Sequence, residues 1–166
     1  MFEVRPARST DADAIGRVQV ETWRAAYAGL LPEHVLAGFD ADERRRLWRE
    51  GLAKEPPPGS ATFVADLDDT VVGFASVGAC RDGEGGELYA LYLLPSCWNR
   101  GIGRALLVRA EDALRGHGFE RALLWVLDGN ERGKRFYRAA GWVDDGSKVD
   151  LFQGVEVTEL RYRKAL

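Results

Sequence analysis

The apolar run from Leu88 to Leu94 stops at Pro95. It is followed by a loop of glycines and arginines, Trp98-Asn99-Arg100-Gly101-Ile102-Gly103-Arg104, and then by Ala105, Leu106 and Leu107. No other stretch of the chain constrains the fold as much. Such an apolar run reads as a buried strand. Leu106, Ala110 and Leu114 lie at helical spacing. Gly101 and Gly103 let the backbone turn tightly and approach a ligand closely. The first amides of a helix have no partner inside it, and the helix dipole adds positive potential there. Together they predict a phosphate cradle, with Arg100 and Arg104 adding charge to it. The dinucleotide fingerprint requires glycine where Leu106 stands, and a Walker loop requires Gly-Lys-Ser/Thr, which is absent. The loop therefore predicts a phosphate-bearing ligand other than NAD or ATP. The alternative is a plain turn between strand and helix.

The rest of the chain surrounds this unit with alternating elements. Phe2 and Val4 predict a short strand ending at Pro6. Thr10, with Asp13 three residues later, predicts a helix start, and Gly29 and Pro32 predict its end. A second helix is expected from Asp40, carrying Leu47, Trp48 and Leu52. Strands are expected around residues 61–65 and 71–77, joined by a tight turn at Asp68-Asp69. Ala122 to Leu127 reads as another strand, Glu131 to Ala140 as a short helix, and residues 142–143 and 155–162 as final strands. This order predicts one α/β (α+β) domain over residues 1–166. Its central, largely antiparallel sheet would have about seven strands, flanked by about four helices.

The arrangement resembles the GCN5-related N-acetyltransferase (GNAT) superfamily. Gly101 and Gly103 occupy the glycines of its Gln/Arg-x-x-Gly-x-Gly/Ala signature, and Trp98 departs from the Gln/Arg. Leu91-Tyr92-Leu93-Leu94-Pro95 resembles the end of the family's splayed fourth strand. Asn130 to Tyr137, followed by Gly141-Trp142, resembles its Asn-x-x-Ala-x-x-x-Tyr motif, with Gly133 in place of Ala. The resemblance implies acetyl-CoA as co-substrate. It would be held by Leu91, Tyr92, Leu93, Trp98, Asn99, Arg100, Gly101, Ile102, Gly103, Arg104, Asn130 and Tyr137.

Acetyl transfer to an amine requires loss of a proton from the amine, stabilisation of the thioester oxygen and protonation of the leaving thiolate. By resemblance, the Leu91 amide supplies the second and the Tyr137 hydroxyl the third. Glu87 is the candidate base, through a water, or else a solvent-facing charge at a strand end. Trp23 and Tyr27 fall on one helix face with Gln19. They either wall the acceptor pocket or pack the helix on the sheet, and Tyr89 is a further candidate for the acceptor wall. Asp82, Glu84 and Glu87 can attract a cationic acceptor or form a solvated loop. The acceptor itself, a small-molecule amine or a peptide, is not identified by the sequence.

The formal net charge of −3 argues against a nucleic-acid partner. His34 and His117 have no ligand-spaced partners, so no metal is expected. Cys80 and Cys97 read as reduced thiols. With no basic-then-apolar leader and no membrane-length apolar run, the expected location is the cytoplasm. Relatives suggest a homodimer by analogy. A non-catalytic acyl-CoA sensor with the same fold is the alternative function.

Overall fold

The computed structural model describes residues 1–166. The strands are β1 (Phe2–Pro6), β2 (Ala61–Leu67), β3 (Thr70–Ala79), β4 (Gly86–Leu93), β5 (Arg121–Leu127), β6 (Val143–Phe152) and β7 (Val155–Ala165). The helices are α1 (Ala12–Ala26), α2 (Glu33–Ala37), α3 (Ala41–Leu52), α4 (Ile102–Gly116) and α5 (Glu131–Ala139). All strands join one sheet in the order β1-β2-β3-β4-β5-β7-β6. Every neighbouring pair is antiparallel except β4 with β5. No helix is long and apolar enough to cross a membrane.

Consecutive residues of β3 show how the sheet is covered. Phe74 packs against Trp48 of α3, at a ring separation of 5.2 Å. A Cβ on its neighbour Gly73 would meet Leu106 of α4. Side chains alternate across a strand, so α1 and α3 cover one face and α4 the other. Along α4, Leu106, Ala110 and Leu114 are buried, as their spacing predicts. The turn at Asp68-Asp69 has positive φ at both residues, which suits a two-residue hairpin.

Three expectations need correction. There are five α-helices where about four were expected: α1 ends at Ala26, as Gly29 and Pro32 predict, but Pro32 also opens another. It precedes α2, whose fixed proline φ suits a helix entry. Val35 of α2 and the following Phe39 then form a second core with Val20, Trp23 and Leu31. The start of α1 is organised by Asp11 rather than Thr10. Its carboxylate accepts the Arg8 amide at 2.7 Å and pairs with Arg5 at 2.8 Å. Finally, β6 runs for ten residues where the sequence suggested two. Its mostly exposed side chains leave no apolar run to read.

A buried charge fastens α4 to the chain's last strand. Glu111 is 5% exposed and accepts the Trp142 indole N–H at 3.0 Å. Lys164 donates to both Glu111 oxygens, at 3.0 and 2.9 Å, and to the Ala140 carbonyl at 2.8 Å. Removing Glu111 leaves the buried Trp142 indole unpaired and Lys164 with the Ala140 carbonyl alone. Glu111→Ala is expected to lower unfolding free energy by about 3 kcal/mol in a urea titration. A loss below about 1 kcal/mol would place the anchoring elsewhere.

Candidate active site

The parallel contact between β4 and β5 is only two residues long, Gly86 with Ala122 and Glu87 with Leu123. Beyond it the strands part, and a cleft of about 530 Å³ opens between them. That is the size range of small-molecule sites. A bulge adds to the divergence. Val77 pairs with Leu88 and Ser76 with Ala90, so Tyr89 has no partner on β3. The strand expected to be covered on both faces therefore has one edge open, and Tyr89 to Tyr92 are only half-buried.

The register fixes which backbone groups face the opening. The Leu94 amide donates to the Val72 carbonyl at 2.9 Å, so that pair is hydrogen-bonded. Pairs alternate along an antiparallel ladder. Leu93 opposite Gly73 and Leu91 opposite Ala75 then turn their backbone groups away from β3, toward the cleft. The Leu93 carbonyl is met there by the Trp98 indole N–H at 2.8 Å. The Leu91 and Leu93 amides remain as donors aimed into the opening.

One end of the cleft is built for anions. Gly101 takes φ +81° and Asn99 φ +60°, which turns the chain into α4. The first α4 acceptor bond reaches Gly101 from Ala105, and the amides of Ile102, Gly103 and Arg104 donate to no backbone carbonyl. A Cβ on Gly103 would be in ordinary contact with Phe136, so the site is close-packed without strain. Arg104, Arg132 and Arg135 line the cleft and are exposed, and Arg100 adjoins them. None of the four belongs to an ion pair. Arg132 and Arg135 on α5 were not singled out in the sequence. Arg132 also stacks on Trp98 at 3.8 Å and donates to Asn99 Oδ1 at 3.3 Å. Trp98, the departure from the family signature, thus ties the β4 end to α5.

The other end gathers phenols. Tyr27 at the end of α1, Tyr92 of β4 and Tyr137 of α5 all line the cleft. Burial raises each above the ordinary tyrosine value, and the neighbouring Tyr92 adds to the rise at Tyr27 and Tyr137. All three stay neutral donors. Tyr137 is held between Phe136 and Trp142, at ring separations of 5.2 and 6.3 Å. Its helix is capped by Asn130, whose Oδ1 accepts the Gly133 amide at 3.0 Å. A Cβ on Gly133 would come within 2.8 Å of the Asn130 side-chain nitrogen.

Other candidates lie elsewhere. Trp23 is 8% exposed and stands behind Tyr92 in an aromatic cluster with Phe39 and Phe152. It packs the core and does not line the cleft. Gln19 accepts the Trp48 indole at 2.8 Å. Tyr89 lines the cleft, with its hydroxyl donating to the Ala79 carbonyl. Glu87 is buried beside the point of divergence and is bound by Arg81, through the backbone amide at 3.2 Å and Nε at 3.0 Å. It is therefore not a free, solvent-facing charge.

A sheet that opens between two strands, with an anion cradle at one end and backbone donors beside neutral phenols at the other, has the architecture of an acyltransferase. Comparison with known proteins agrees. The sequence model of the acetyltransferase (GNAT) family matches residues 21–142. The uncharacterized N-acetyltransferase YuaI of Bacillus subtilis is 37% identical over 72% of this chain and 68% of its own. The fold is shared with PaiA N-acetyltransferase from Thermoplasma acidophilum, solved with coenzyme A (TM-score 0.73, 23% identity, 100% and 99% of the two chains). It is shared also with YncA from Salmonella typhimurium, solved with acetyl-CoA (TM-score 0.75, 19% identity, 99% and 94%). The chain belongs to the GNAT acetyltransferase family.

Trp98→Phe keeps the stack under Arg132 and removes the indole N–H from the Leu93 carbonyl. It is expected to cost about 1 kcal/mol in chemical denaturation. Trp98→Ala should cost about 1 kcal/mol more through the lost cation–π contact. Equal losses would show that the stack under Arg132 contributes nothing, and no loss in Trp98→Phe that the indole N–H contributes nothing.

Proposed function

We propose that this acyltransferase, acting as one domain over residues 1–166, moves the acetyl group of acetyl-CoA to a primary amine by direct attack in a ternary complex. One observation carries the reading. Acceptor-less amides and unpaired arginines converge at one end of the same cleft whose other end holds the Leu91 amide and the Tyr137 hydroxyl. A ligand with phosphates at one end and a reactive carbonyl at the other fits both. NAD and ATP lack that carbonyl. Bound acetyl-CoA would supply an activated thioester.

The chain's own groups then have defined tasks. The amides of Ile102, Gly103 and Arg104 receive phosphate oxygens, with Arg100, Arg104, Arg132 and Arg135 offsetting their charge. Asn99, Gly101 and the Trp98–Arg132 stack shape the loop that presents those amides. The Leu91 amide, fixed in the strand before any ligand arrives, donates to the carbonyl oxygen as charge builds on it. The Leu93 amide and the Tyr92 backbone steady the arm that leads there, and Asn130 holds α5 against the cleft. Tyr137 delivers its proton to the departing thiolate, and its raised pKa keeps that proton available throughout the working pH range. Glu87 takes the amine's proton through a water. For that task its carboxylate must let go of Arg81 or share it. Tyr27 and Tyr89 wall the amine side.

Calorimetric titration with acetyl-CoA tests the cradle, with ATP and NAD as controls. Micromolar binding of acetyl-CoA alone is expected. Gly101→Val, which forces a branched side chain to positive φ at the cradle, should abolish that binding. Absence of binding to the wild-type protein would overturn the reading.

Tyr137→Phe should reduce kcat by about 10²- to 10⁴-fold with acetyl-CoA affinity unchanged. The sign of the pH dependence follows from the direction of its shift. A proton donor with a raised pKa loses activity only above that value. The wild-type kcat profile should therefore show no alkaline fall assignable to Tyr137 below about pH 10. A fall near pH 8 that Tyr137→Phe removes would contradict the assignment.

A further inference from the structure

The amine side of the cleft has a polar pattern of its own. Its wall is formed by Thr22 and Ala26 of α1 and the following Tyr27, with Tyr89 of β4 and Trp125 and Leu127 of β5. Most of this surface is apolar or aromatic, and two of the polar groups at its border have no partner.

The first is Thr22. It is 5% exposed, and its hydroxyl makes no hydrogen bond within the protein. A threonine in a helix ordinarily returns its hydroxyl to a carbonyl one turn back. Leaving a buried hydroxyl unpaired is destabilising, so a group that bears such a cost at a cleft wall points to a ligand atom.

The second is Glu159 on β7. It lies opposite Leu127, which lines the cleft, and on the strand face shared with Val157, which packs against the core around Trp23 and Tyr27. Glu159 is half-buried and belongs to no ion pair. Its cross-strand neighbour Lys148 instead places its ammonium 4.1 Å from the Trp125 ring centre. The carboxylate is close enough to the Tyr27 and Tyr92 hydroxyls for its charge to help hold both in the neutral form. Arg44 acts on Tyr92 in the opposite direction, with its guanidinium stacked 4.9 Å from the Trp23 ring.

An alkylammonium carries three N–H donors and no acceptor. What it requires is a negative charge, a lone pair and an apolar or aromatic surround for its chain. We propose that Glu159 and Thr22 are the acceptor-specificity residues of this enzyme, and that they select cationic alkylamines. The Glu159 carboxylate holds the positive charge, and the Thr22 hydroxyl accepts one N–H. The inference rests on the acetyltransferase reading above and names the substrate class of that site. It also explains product release, because an acetylated nitrogen is neutral and loses its attraction to Glu159.

The test compares the wild-type protein, Glu159→Gln and Thr22→Val with saturating acetyl-CoA, reading thiol release. One acceptor is n-butylamine, cationic at neutral pH, and the other is an O-alkylhydroxylamine, neutral at the same pH. Glu159→Gln should lower kcat/KM for butylamine by about ten- to hundredfold. The value for the neutral amine and the calorimetric affinity for acetyl-CoA should stay unchanged. Thr22→Val should raise the Tm, because an unpaired buried hydroxyl is removed, and yet lower kcat/KM. A residue with a merely structural role would not separate these readouts.

Equal effects on both amines, no effect, or a lowered Tm in Thr22→Val would overturn the proposal. So would a wild-type protein that binds acetyl-CoA but acetylates only the neutral amine. If neither amine turns over, titration of butylamine into the coenzyme A-loaded protein decides. Binding weakened by Glu159→Gln supports the anchor, and no binding overturns it. A wild-type protein that does not bind acetyl-CoA would instead sink the acetyltransferase reading itself.

Discussion

The separation of β4 from β5 is the constraint on which the rest of the molecule depends. Two paired residues hold the strands together at Gly86 and Glu87, and beyond them a parallel ladder is given up. Unpaired backbone groups in a protein interior are costly, so the separation persists only because other contacts hold each strand. On one side β4 is tied to β3 along its length, with the bulge at Tyr89 re-aiming the strand. On the other, β5 is fully paired to β7. The backbone donors released at Leu91 and Leu93 face a cleft where a ligand carbonyl can use them, which turns an unfavourable gap into a binding surface.

The electrostatics of this cleft run against those of the chain. The protein is acidic overall, with a formal net charge of −3, yet four unpaired arginines surround the start of α4. Long-range attraction is weak at physiological salt, so the local arrangement matters more than the sum. Free helix amides, the dipole of α4 and the guanidiniums act within a few ångströms of one another. The cleft lining itself holds no carboxylate, and the buried Glu87 and the half-buried Glu159 lie beside it. A cleft charged in this way suits a ligand that is anionic at one end.

Tyr137 gets its position from contacts at both ends of its helix. Its helix is capped by Asn130 and held at its start by Lys134, which is 7% exposed and donates to Asp128 at 2.7 Å and Glu131 at 2.9 Å. At the other end, the Trp142 amide returns to the Tyr137 carbonyl at 3.0 Å, and the Trp142 indole is fixed by Glu111. One end of α5 is thereby joined through the buried Lys134 to two exposed carboxylates, and the other to the buried Glu111. A nine-residue helix would not be stable alone.

Much of this was legible in the sequence. The glycine–arginine loop, the apolar run before it and the inward spacing of Leu106, Ala110 and Leu114 are local patterns. They specify turn, strand and helix whatever surrounds them. The Asn130-to-Tyr137 spacing is local in the same sense, and by resemblance it carried the family. What the sequence did not show depends on elements far apart in the chain. Glu87 read equally as a free carboxylate because Arg81 closes on it only through the β3–β4 loop. Trp23 stayed open between cleft wall and core packing because Phe39 and Phe152 bury it from two distant segments. Arg132, Arg135, Thr22 and Glu159 carried no motif at all. A side chain's facing, its partner or the lack of one is set when the sheet is assembled. Sequence periodicity fixes the face within one element, and only tertiary packing decides what that face meets.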